Sequence, residues 1–375
     1  VDVAVLGNHE FDYGETVLNN RMMQANFDWI CANVSMQGSD VMQPFEYASV
    51  TEDGIKVTFL GLVETNGKDD IYIPSTHPWR VQNLTFEPYN EVVVNYESLK
   101  EDTHSDIYVA LTHLGESSDR NLAANYPYFD LIIGGHSHTK TNTTVNGIPI
   151  YHAGSYLNYL GKVSLVIKDD VLDNISFELI DLNTYSIKDA ALESLIQKYN
   201  DDADLDDIIG YANAYHSKAN LGVFYTDALK TMLDADISFQ NPGGVRNDLD
   251  EGPITTREIY SIDPFNNGSV SYDMTVGAIK KFLMETRTSV YYSGIIIEQD
   301  DQNIFFYDEN DQLINDDAVL KLAVNDYIPA VYDTYFSNPT LWPFTTAEAL
   351  RQFLKTGNGT IDYSMENNFF RFGSN

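Results

Sequence analysis

Short apolar runs that end in polar or glycine-rich turns dominate roughly the first 180 residues. Their length and β-branched content are typical of buried strands, and segments with helical spacing lie between them. This alternation predicts a layered α/β domain, in which functional residues gather where strands end. The strand candidates are Val3–Leu6, Val57–Leu62, Ile107–Thr112, Leu131–Ile133 and Val163–Ile167.

The pattern changes next, where helical spacing over Ile187–Tyr199 is followed by a polar break at Asn200–Asp202. We interpret residues 185–207 as a connecting helix and hinge. They would separate a first domain at 1–184 from a second domain at 208–375.

The second domain also has an α/β or α+β pattern. Helical spacing predicts helices near Asp227–Leu233 and Val276–Glu285, and a glycine-rich turn is expected at Asn241–Gly244. The sequence contains no internal repeat, so two different globular domains are expected rather than a repeat array.

Composition narrows the classes of partner. The 375 residues are 43% hydrophobic, enough for two domain cores, and the net charge is −34. A surface this negative repels phosphate backbones, so nucleic acid is not expected as a partner. No run of about 18 apolar residues occurs, so no transmembrane segment is expected. The single cysteine, Cys31, excludes an intrachain disulfide, and nothing in the sequence indicates the oligomeric state.

The first motif with side chains suited to catalysis or metal binding is Gly7–Asp12, with the sequence GNHEFD. It directly follows a predicted strand. The amide oxygen of Asn8 can ligate a metal. His9 and Asp12 are close enough in sequence for the carboxylate to orient the imidazole and stabilise its charge. The alternative, a polar turn with a buried histidine, is disfavoured because such a string is unusual after a strand.

Two further strand ends carry histidines. His113 follows the strand candidate at Ile107–Thr112, and His136 and His138 follow a pair of glycines after Leu131–Ile133. In an extended segment His136 and His138 point the same way, so two imidazoles can converge on adjacent metals. The paired glycines let the backbone approach the site closely. Taken alone, His113 is equally well explained as a capping or core histidine.

Nitrogen and oxygen donors without cysteine suit Zn²⁺, Mn²⁺, Co²⁺ or Fe²⁺ better than a thiolate-bound structural zinc. Two such ions roughly 3.5–4 Å apart could clamp a phosphate and deprotonate a water. Among the other histidines, His152 ends a short strand and could support the ligands from behind. The remaining three, in a turn, a charged loop and a helix approach, are interpreted as structural: His77, His104 and His216.

With these motifs the chain resembles the 5′-nucleotidase family of metallophosphoesterases, along its whole length. The resemblance implies an α/β fold, with a four-layer α/β/β/α metallophosphoesterase domain followed by an α/β 5′-nucleotidase C-terminal domain. It also implies two divalent metal ions. Asn8, His113 and His136 would ligate one of them, and His138 the other.

In the same resemblance, His9 and Asp12 match the family's catalytic pair. The histidine stabilises the transition state, the aspartate holds the histidine, and a metal-activated water attacks phosphorus in line. The family's Asp-x-His and bridging Asp do not appear ahead of Asn8. Because Val1 opens on an apolar run already under way, we expect upstream sequence to be missing, and any export signal with it. The fragment by itself would be inactive or badly impaired.

The second domain resembles the family's substrate-binding domain more loosely. Asn241–Arg246, with the sequence NPGGVR, is similar to its Asn-x-Gly-x-x-Arg turn. The resemblance implies that Asn241 contacts the nucleoside, that Gly244 belongs to the same binding turn, and that Arg246 holds the substrate phosphate as a bidentate donor. The alternative for Arg246 is a surface arginine paired with nearby aspartates.

Three more residues match that domain. Phe265 and Tyr327 resemble the two aromatic residues that stack on the base, and Asp333 resembles the ribose-binding aspartate. Phe265 and Tyr327 could equally be ordinary core residues. The stretch Ala330–Tyr335 keeps the aspartate but lacks the glycines that the family has there, so a narrower pocket beside the base is expected.

These features favour a phosphoric ester hydrolase that converts a nucleoside 5′-monophosphate to nucleoside and phosphate. Because Ala330–Tyr335 lacks the glycines of the family, three other activities of the same fold remain open. They are those of a 2′,3′-cyclic-nucleotide phosphodiesterase, a nucleotide-sugar hydrolase and a thiosulfate-ester hydrolase. A non-catalytic binding module that has lost its metals is the alternative of another class. The resemblance implies a bacterial extracellular, cell-surface or periplasmic location.

Overall fold

A computed structural model of the chain describes residues 1–68, 71–168, 171–201, 204–300, 303–357 and 359–372. These residues form two units, Val1–Ile187 and Lys188–Asn375. The prediction of a two-domain α/β protein is confirmed.

A six-stranded sheet organises the first unit. Its four inner strands are parallel to one another. Across the sheet they lie in the order Ile55–Val63, Ile107–His113, Leu131–Gly134 and Ile148–Ala153. Antiparallel strands close both edges of the sheet. Because the inner strands are parallel, their carboxyl ends meet at one edge, where a site can be assembled from residues far apart in sequence.

Both faces of this sheet are covered, which explains why its central strands read as continuous apolar runs. On one face Tyr108 and Ala110 pack with Leu122 of the helix Glu116–Asn125, all fully buried. On the other face Tyr151 stacks on Phe177 of a long hairpin, with ring centroids 4.4 Å apart.

The remaining elements of the first unit lie outside the six-stranded sheet or at its edges. The strand Val3–Val5 pairs in parallel with Asp28–Ile30. The other strands are Val34–Ser35, Tyr47–Glu52, Asn66–Lys68, Ile71–Ile73, Thr85–Phe86, Lys140–Val145, Tyr159–Lys168 and Val171–Asp181. The other helices and 3₁₀ turns are Asn8–Phe11, Gly14–Gln24, Pro78–Arg80, Tyr89–Val92, Val93–Tyr96, Leu99–Asp102 and Leu182–Thr184.

The second unit has a mixed six-stranded sheet with a smaller three-stranded sheet beside it. At its centre Ile237–Gln240 and Val319–Asn325 run parallel, so their last residues lie side by side. The helix Lys218–Met232 buries Phe224, Tyr225 and Leu229 completely in the core of the unit.

The other strands of the second unit are Ile208–Ala212, Gly252–Thr255, Gly268–Thr275, Val290–Ser293, Ile296–Gln299, Ile304–Tyr307, Thr340–Thr345, Thr360–Ile361 and Phe369–Phe370. Its other helices and 3₁₀ turns are Ala190–Asn200, Pro242–Gly244, Thr256–Ile262, Val276–Thr286, Tyr327–Val331, Asp333–Tyr335 and Thr346–Thr356.

Capping residues account for where the predicted helices differ from the observed ones. The helix predicted from Ile187 begins at Ala190, because the Asp189 carboxylate accepts hydrogen bonds from two backbone N–H groups of its first turn. The helix predicted near Asp227 begins already at Lys218, since Ser217 forms a capping box there. The polar break predicted after the helix Ala190–Asn200 extends to Asp202, which lies outside the described residues. The limits of the hinge at 185–207 therefore stay a prediction.

Candidate active site

Three side chains that are distant in sequence meet at the carboxyl edge of the first sheet. The Oδ1 atom of Asn8 lies 3.0 Å from Nε2 of His113 and 3.4 Å from Nδ1 of His136. The two imidazole rings stand edge to face with centroids 5.2 Å apart. We call Asn8, His113 and His136 the ligand cluster, because both imidazoles contact the same amide oxygen and all three side chains are of metal-ligating types.

Glycines allow this close approach. A Cβ atom on Gly7 would lie 3.0 Å from the His113 ring, and one on Gly135 would lie 3.2 Å from Nδ1 of His113. Any larger residue at either position would push His113 away from Asn8. The glycines beside the motifs therefore have a steric reason, as the sequence suggested for the pair at 134–135.

A turn that the sequence analysis missed orients Asn8. Its Nδ2 donates to the carbonyl oxygen of Ser75 at 3.1 Å, which leaves Oδ1 facing the two imidazoles. The backbone N–H of Ser75 in turn donates to Oε1 of Glu64 at 2.6 Å. Glu64 directly follows a strand of the sheet, and this position was the one available signal of its role.

The predicted catalytic pair is in contact. Nδ1 of His9 lies 2.7 Å from Oδ2 of Asp12, and the side chains are 40% and 13% exposed. Thr76 donates to the other carboxylate oxygen at 3.4 Å. The pair therefore presents a partly exposed imidazole whose orientation is fixed by a more buried carboxylate.

Burial and neighbouring imidazoles lower the pKa of His113 from 6.5 to about 4. Burial makes the larger contribution, followed by the charges of His136, His9 and His138. His113 is therefore neutral at physiological pH, which is the protonation state in which an imidazole binds a cation.

The backbone around the last motif differs from the prediction. His136 and His138 have φ values of +73° and +59°, so the segment is left-handed at both positions rather than extended. The argument that alternation directs both side chains the same way is therefore wrong. His136 reaches the ligand cluster, whereas His138 is exposed and its ring packs edge to face with Tyr156 at 5.3 Å.

His152 belongs to a buried polar group behind the cluster. Its Nε2 lies 2.8 Å from Asp119, and Thr112, next to His113, donates to the same carboxylate at 2.7 Å. A Cβ atom on Gly134 would lie 2.1 Å from Asp119, so only glycine fits between these groups. These contacts join the ends of three strands and the helix that follows His113.

The remaining histidines have the structural environments that the sequence analysis expected. His216 is fully buried and accepts a hydrogen bond from the backbone of Tyr363. His104 lies exposed in a loop, 2.8 Å from the carbonyl oxygen of Glu101. His77 packs against Trp79 with ring centroids 4.6 Å apart.

The donor set of the ligand cluster suits one divalent cation of the Zn²⁺ to Mn²⁺ group, with two imidazole nitrogens and one amide oxygen. Over the described parts of the chain, no group of three or more His, Cys, Asp or Glu side chains is arranged to hold a metal. The third donor of the ligand cluster is an amide, Asn8. For a second cation, the ligand predicted from the sequence is His138.

The second unit forms its own polar surface at the predicted substrate turn. The guanidinium of Arg246 lies over the ring of Phe265, 5.5 Å from its centroid, and donates to the carbonyl oxygen of Gly243 at 3.3 Å. The two residues predicted to hold phosphate and base thus contact each other.

Asn241 precedes the 3₁₀ turn Pro242–Gly244, and Gly244 ends it. We call the whole segment Asn241–Arg246 the nucleoside turn. The backbone N–H of Gly244 donates to the carbonyl oxygen of Asn241 at 2.9 Å. A Cβ atom on Gly244 would lie 2.1 Å from Nε2 of the buried Gln240, so this position requires glycine.

Tyr327 and Asp333 lie on two short helical segments of the same unit. Tyr327 begins the helix Tyr327–Val331, and Asp333 begins the 3₁₀ turn that follows. Between them the ring of Tyr332 packs on Phe282 in the core, with centroids 5.3 Å apart. Tyr332, at a position where the resemblance implies a glycine, therefore packs against the core of the unit.

Within the residues that the structure describes, none of the helices combines the length and apolarity needed to cross a membrane.

Comparison with protein families assigns both units. The family described as calcineurin-like phosphoesterase matches residues 1–140, which contain every member of the ligand cluster. The family described as the 5′-nucleotidase C-terminal domain matches residues 203–336, which contain the nucleoside turn and Asp333.

Individual relatives agree with this assignment. The trifunctional nucleotide phosphoesterase YfkN of Bacillus subtilis is 28% identical over 78% of this chain and 24% of its own length. A 5′-nucleotidase of Vibrio parahaemolyticus is 25% identical over 84% of this chain and 66% of its own length. The chain thus spans between a quarter and two thirds of these relatives.

A solved structure shares the fold. The crystal structure of a 5′-nucleotidase precursor from Thermus thermophilus superimposes with a TM-score of 0.85 at 20% identity, covering 98% of this chain and 83% of that one.

Proposed function

We propose that this chain, which belongs to the 5′-nucleotidase family of metallophosphoesterases, hydrolyses nucleotide phosphate esters, converting a nucleoside 5′-monophosphate to nucleoside and inorganic phosphate. The observation that carries the proposal is the ligand cluster, in which two imidazoles and an amide oxygen converge within 3.0–3.4 Å. Residues 8, 113 and 136 are far apart in the chain, and all three are of types that ligate divalent cations.

Asn8, His113 and His136 would hold one divalent cation, and His138 would contribute to a second, as the family resemblance implies. When bound, such cations supply Lewis-acid stabilisation to the phosphoryl group. The residues of the chain prepare this site in advance. Ser75 fixes the amide of Asn8 with its oxygen toward the cluster, and the lowered pKa keeps His113 neutral.

His9 and Asp12 would act on the charge that develops during the reaction. Because Nδ1 of His9 is occupied by the carboxylate, the opposite ring nitrogen is the one that can reach a substrate oxygen. The Asp12 carboxylate holds the imidazole in place, and the outer ring N–H would donate to that oxygen or to the leaving group.

The second unit would bind the nucleotide through its own polar and aromatic residues. Arg246 would contact phosphate, and Phe265 and Tyr327 would stack on the base, a contact worth about 1–3 kcal/mol per aromatic ring. Asn241 and Gly244 would contact the nucleoside, and Asp333 the ribose. These local positive and aromatic groups would draw an anionic ligand to a chain whose net charge is −34.

Phosphate release from AMP by the purified full-length protein, with and without Mn²⁺, tests the proposal. We expect release that depends on the cation and is abolished by a chelator. A panel of nucleoside monophosphates, cyclic nucleotides and nucleotide sugars that yields no phosphate with any of several divalent cations would overturn it.

A second candidate substrate follows from Ala330–Tyr335, where Tyr332 replaces a glycine and packs in the core. The absence of the family's glycines from this stretch motivates a 2′,3′-cyclic nucleotide or a nucleotide sugar as the alternative substrate. The ratio of rates on 2′,3′-cyclic AMP and AMP separates these substrates.

Metal analysis distinguishes the proposed hydrolase from a non-catalytic binding module. About two bound ions per full-length chain would exclude the binding module. For a protein of this family we also propose a bacterial extracellular, cell-surface or periplasmic location. Fractionation of the source cells tests that proposal.

A further inference from the structure

A single buried amide, Asn325, joins the two parts of the second unit that are proposed to bind the nucleoside. It is the last residue of the strand Val319–Asn325 and is fully buried. The neighbouring parallel strand ends at Gln240, directly before Asn241. The topology therefore brings Asn325 beside the start of the nucleoside turn.

All the polar atoms of this side chain are used. Its Nδ2 donates to Oε1 of Gln240 and to Oδ1 of Asn241, both at 2.8 Å. Its Oδ1 accepts from the backbone N–H of Ile328 at 3.0 Å. Rotating the amide by 180° would set oxygen against two oxygens and N–H against N–H, so one orientation is strongly preferred.

This orientation fixes that of Asn241. Because Asn325 supplies a donor, Asn241 must direct its oxygen inward, and its Nδ2 group is turned away from Asn325. Asn241 is half-buried, so part of this residue lies at the surface of the turn. The bond to Ile328 also fixes the first turn of the helix on which Tyr327 lies.

We propose that Asn325 is a positioning residue for the nucleoside site. By donating to Oδ1 of Asn241, it leaves the N–H₂ group of Asn241 to donate to the ligand. The site then selects a ligand that presents an acceptor there, such as a ring nitrogen or carbonyl oxygen of a base. This inference rests on the proposed function in one respect, namely that the nucleoside turn binds a nucleoside.

Adenosine binding to the full-length protein, measured by calorimetry, is the test. It needs neither catalysis nor a bound metal. The variants are Asn325→Leu, Asn241→Ala and their combination. We expect each single substitution to raise the Kd by about 10-fold, as for loss of one hydrogen bond, and the double variant to bind no more weakly than Asn241→Ala.

Asn241→Asp tests polarity without disturbing the buried amide. An aspartate can still accept from Asn325, but it cannot donate outward. Because adenosine is uncharged, a Kd raised about 10-fold reports loss of the donor. This variant changes a half-buried residue, so it decides the question even if Asn325→Leu fails to fold.

Asn33→Leu is the matched control. Asn33 is 1% exposed in the other unit, donates to the carbonyl oxygens of Val63 and Glu87, and accepts from the N–H of Val63. Its substitution should lower the unfolding temperature while leaving the adenosine Kd unchanged.

Two results would overturn the inference alone: an Asn241→Asp variant that binds adenosine like the wild type, or penalties that add in the double variant. A wild-type protein that binds no adenosine would overturn the inference as well. If that protein still releases phosphate from non-nucleoside esters, its hydrolase activity stands, and if it releases none, the proposed function fails with it.

Discussion

The ligand cluster of the first unit and the nucleoside turn of the second are both built where parallel strands end, yet they are specified differently. In the first, each functional side chain lies in a short string with glycines that make room for it. In the second, the function of Asn241 depends on Asn325, 84 positions away in the chain. Each site also contains an amide whose orientation is set from a distance: the backbone carbonyl of Ser75 orients Asn8 in the first, and the side chain of Asn325 orients Asn241 in the second.

The largest difference between the units should follow from removing His113. We expect His113→Ala to weaken Mn²⁺ binding by roughly 100-fold and to lower phosphate release by more than that, while adenosine binding by the second unit stays the same. Calorimetric titration with Mn²⁺ and then with adenosine measures both. His104→Ala, a substitution of an exposed loop histidine, is the control and should change neither.

Substitution of His9 should affect turnover rather than metal binding. We expect His9→Ala to lower kcat by roughly 10²–10⁴-fold with the metal content intact, because its imidazole acts on developing charge. Metal analysis beside steady-state kinetics checks this. Equal loss of metal and turnover would place His9 among the ligands instead.

In the second unit, Arg246→Ala should mainly raise KM, by roughly 10–100-fold, since a charge-assisted bond to phosphate is made in the ground state as well. Arg351→Ala is the matched control, because Arg351 also lies over an aromatic ring, that of Tyr260, at 5.7 Å. A fall in kcat without a change in KM would contradict the assigned role of Arg246.

The smallest effect concerns stability in the first unit. The pKa of folded His113 is lowered from 6.5 to about 4, so between these values the unfolded chain binds a proton that the folded chain does not. Stability should therefore fall as the pH falls through this window, by at most about 2 kcal/mol at pH 4.5. Urea unfolding of metal-free protein at pH 7 and 4.5 measures it.

His113→Gln removes this titration and should lose that part of the pH dependence. An unchanged difference between the two pH values in the variant would show that other groups cause it. Adenosine binding, measured alongside, should respond equally in both proteins, because the second unit is common to them.

Much of the first unit could be predicted from the chain. The apolar runs predicted the central strands of the sheet, because strands covered on both faces are continuously hydrophobic. The run Val163–Ile167, also predicted as a buried strand, lies instead in an antiparallel hairpin and is only partly buried. The strings at 7–12 and 134–138 predicted a clustering of histidines, since residues at the ends of parallel strands share an edge. The conformation of His136 and His138 could not be predicted, because a left-handed backbone depends on local packing rather than on alternation.

Supporting contacts were harder to predict. Ser75, Glu64 and Asp119 carry no motif, and their roles arise only because loops distant in sequence fold beside the cluster. The identities of the aromatic and charged residues of the second unit suggested a substrate site. Nothing in the sequence indicated that Tyr332 would pack into the core.

The sequence by itself determined the chemistry available to this protein: imidazole and amide donors after strands, an arginine in a glycine-rich turn, and two apolar cores to hold them. The tertiary structure alone decided how those groups act. Burial sets the charge of His113, Ser75 directs the oxygen of Asn8, and Asn325 directs the N–H₂ group of Asn241. The physical reason is that protonation and amide orientation depend on neighbours in space, which the order of residues does not specify.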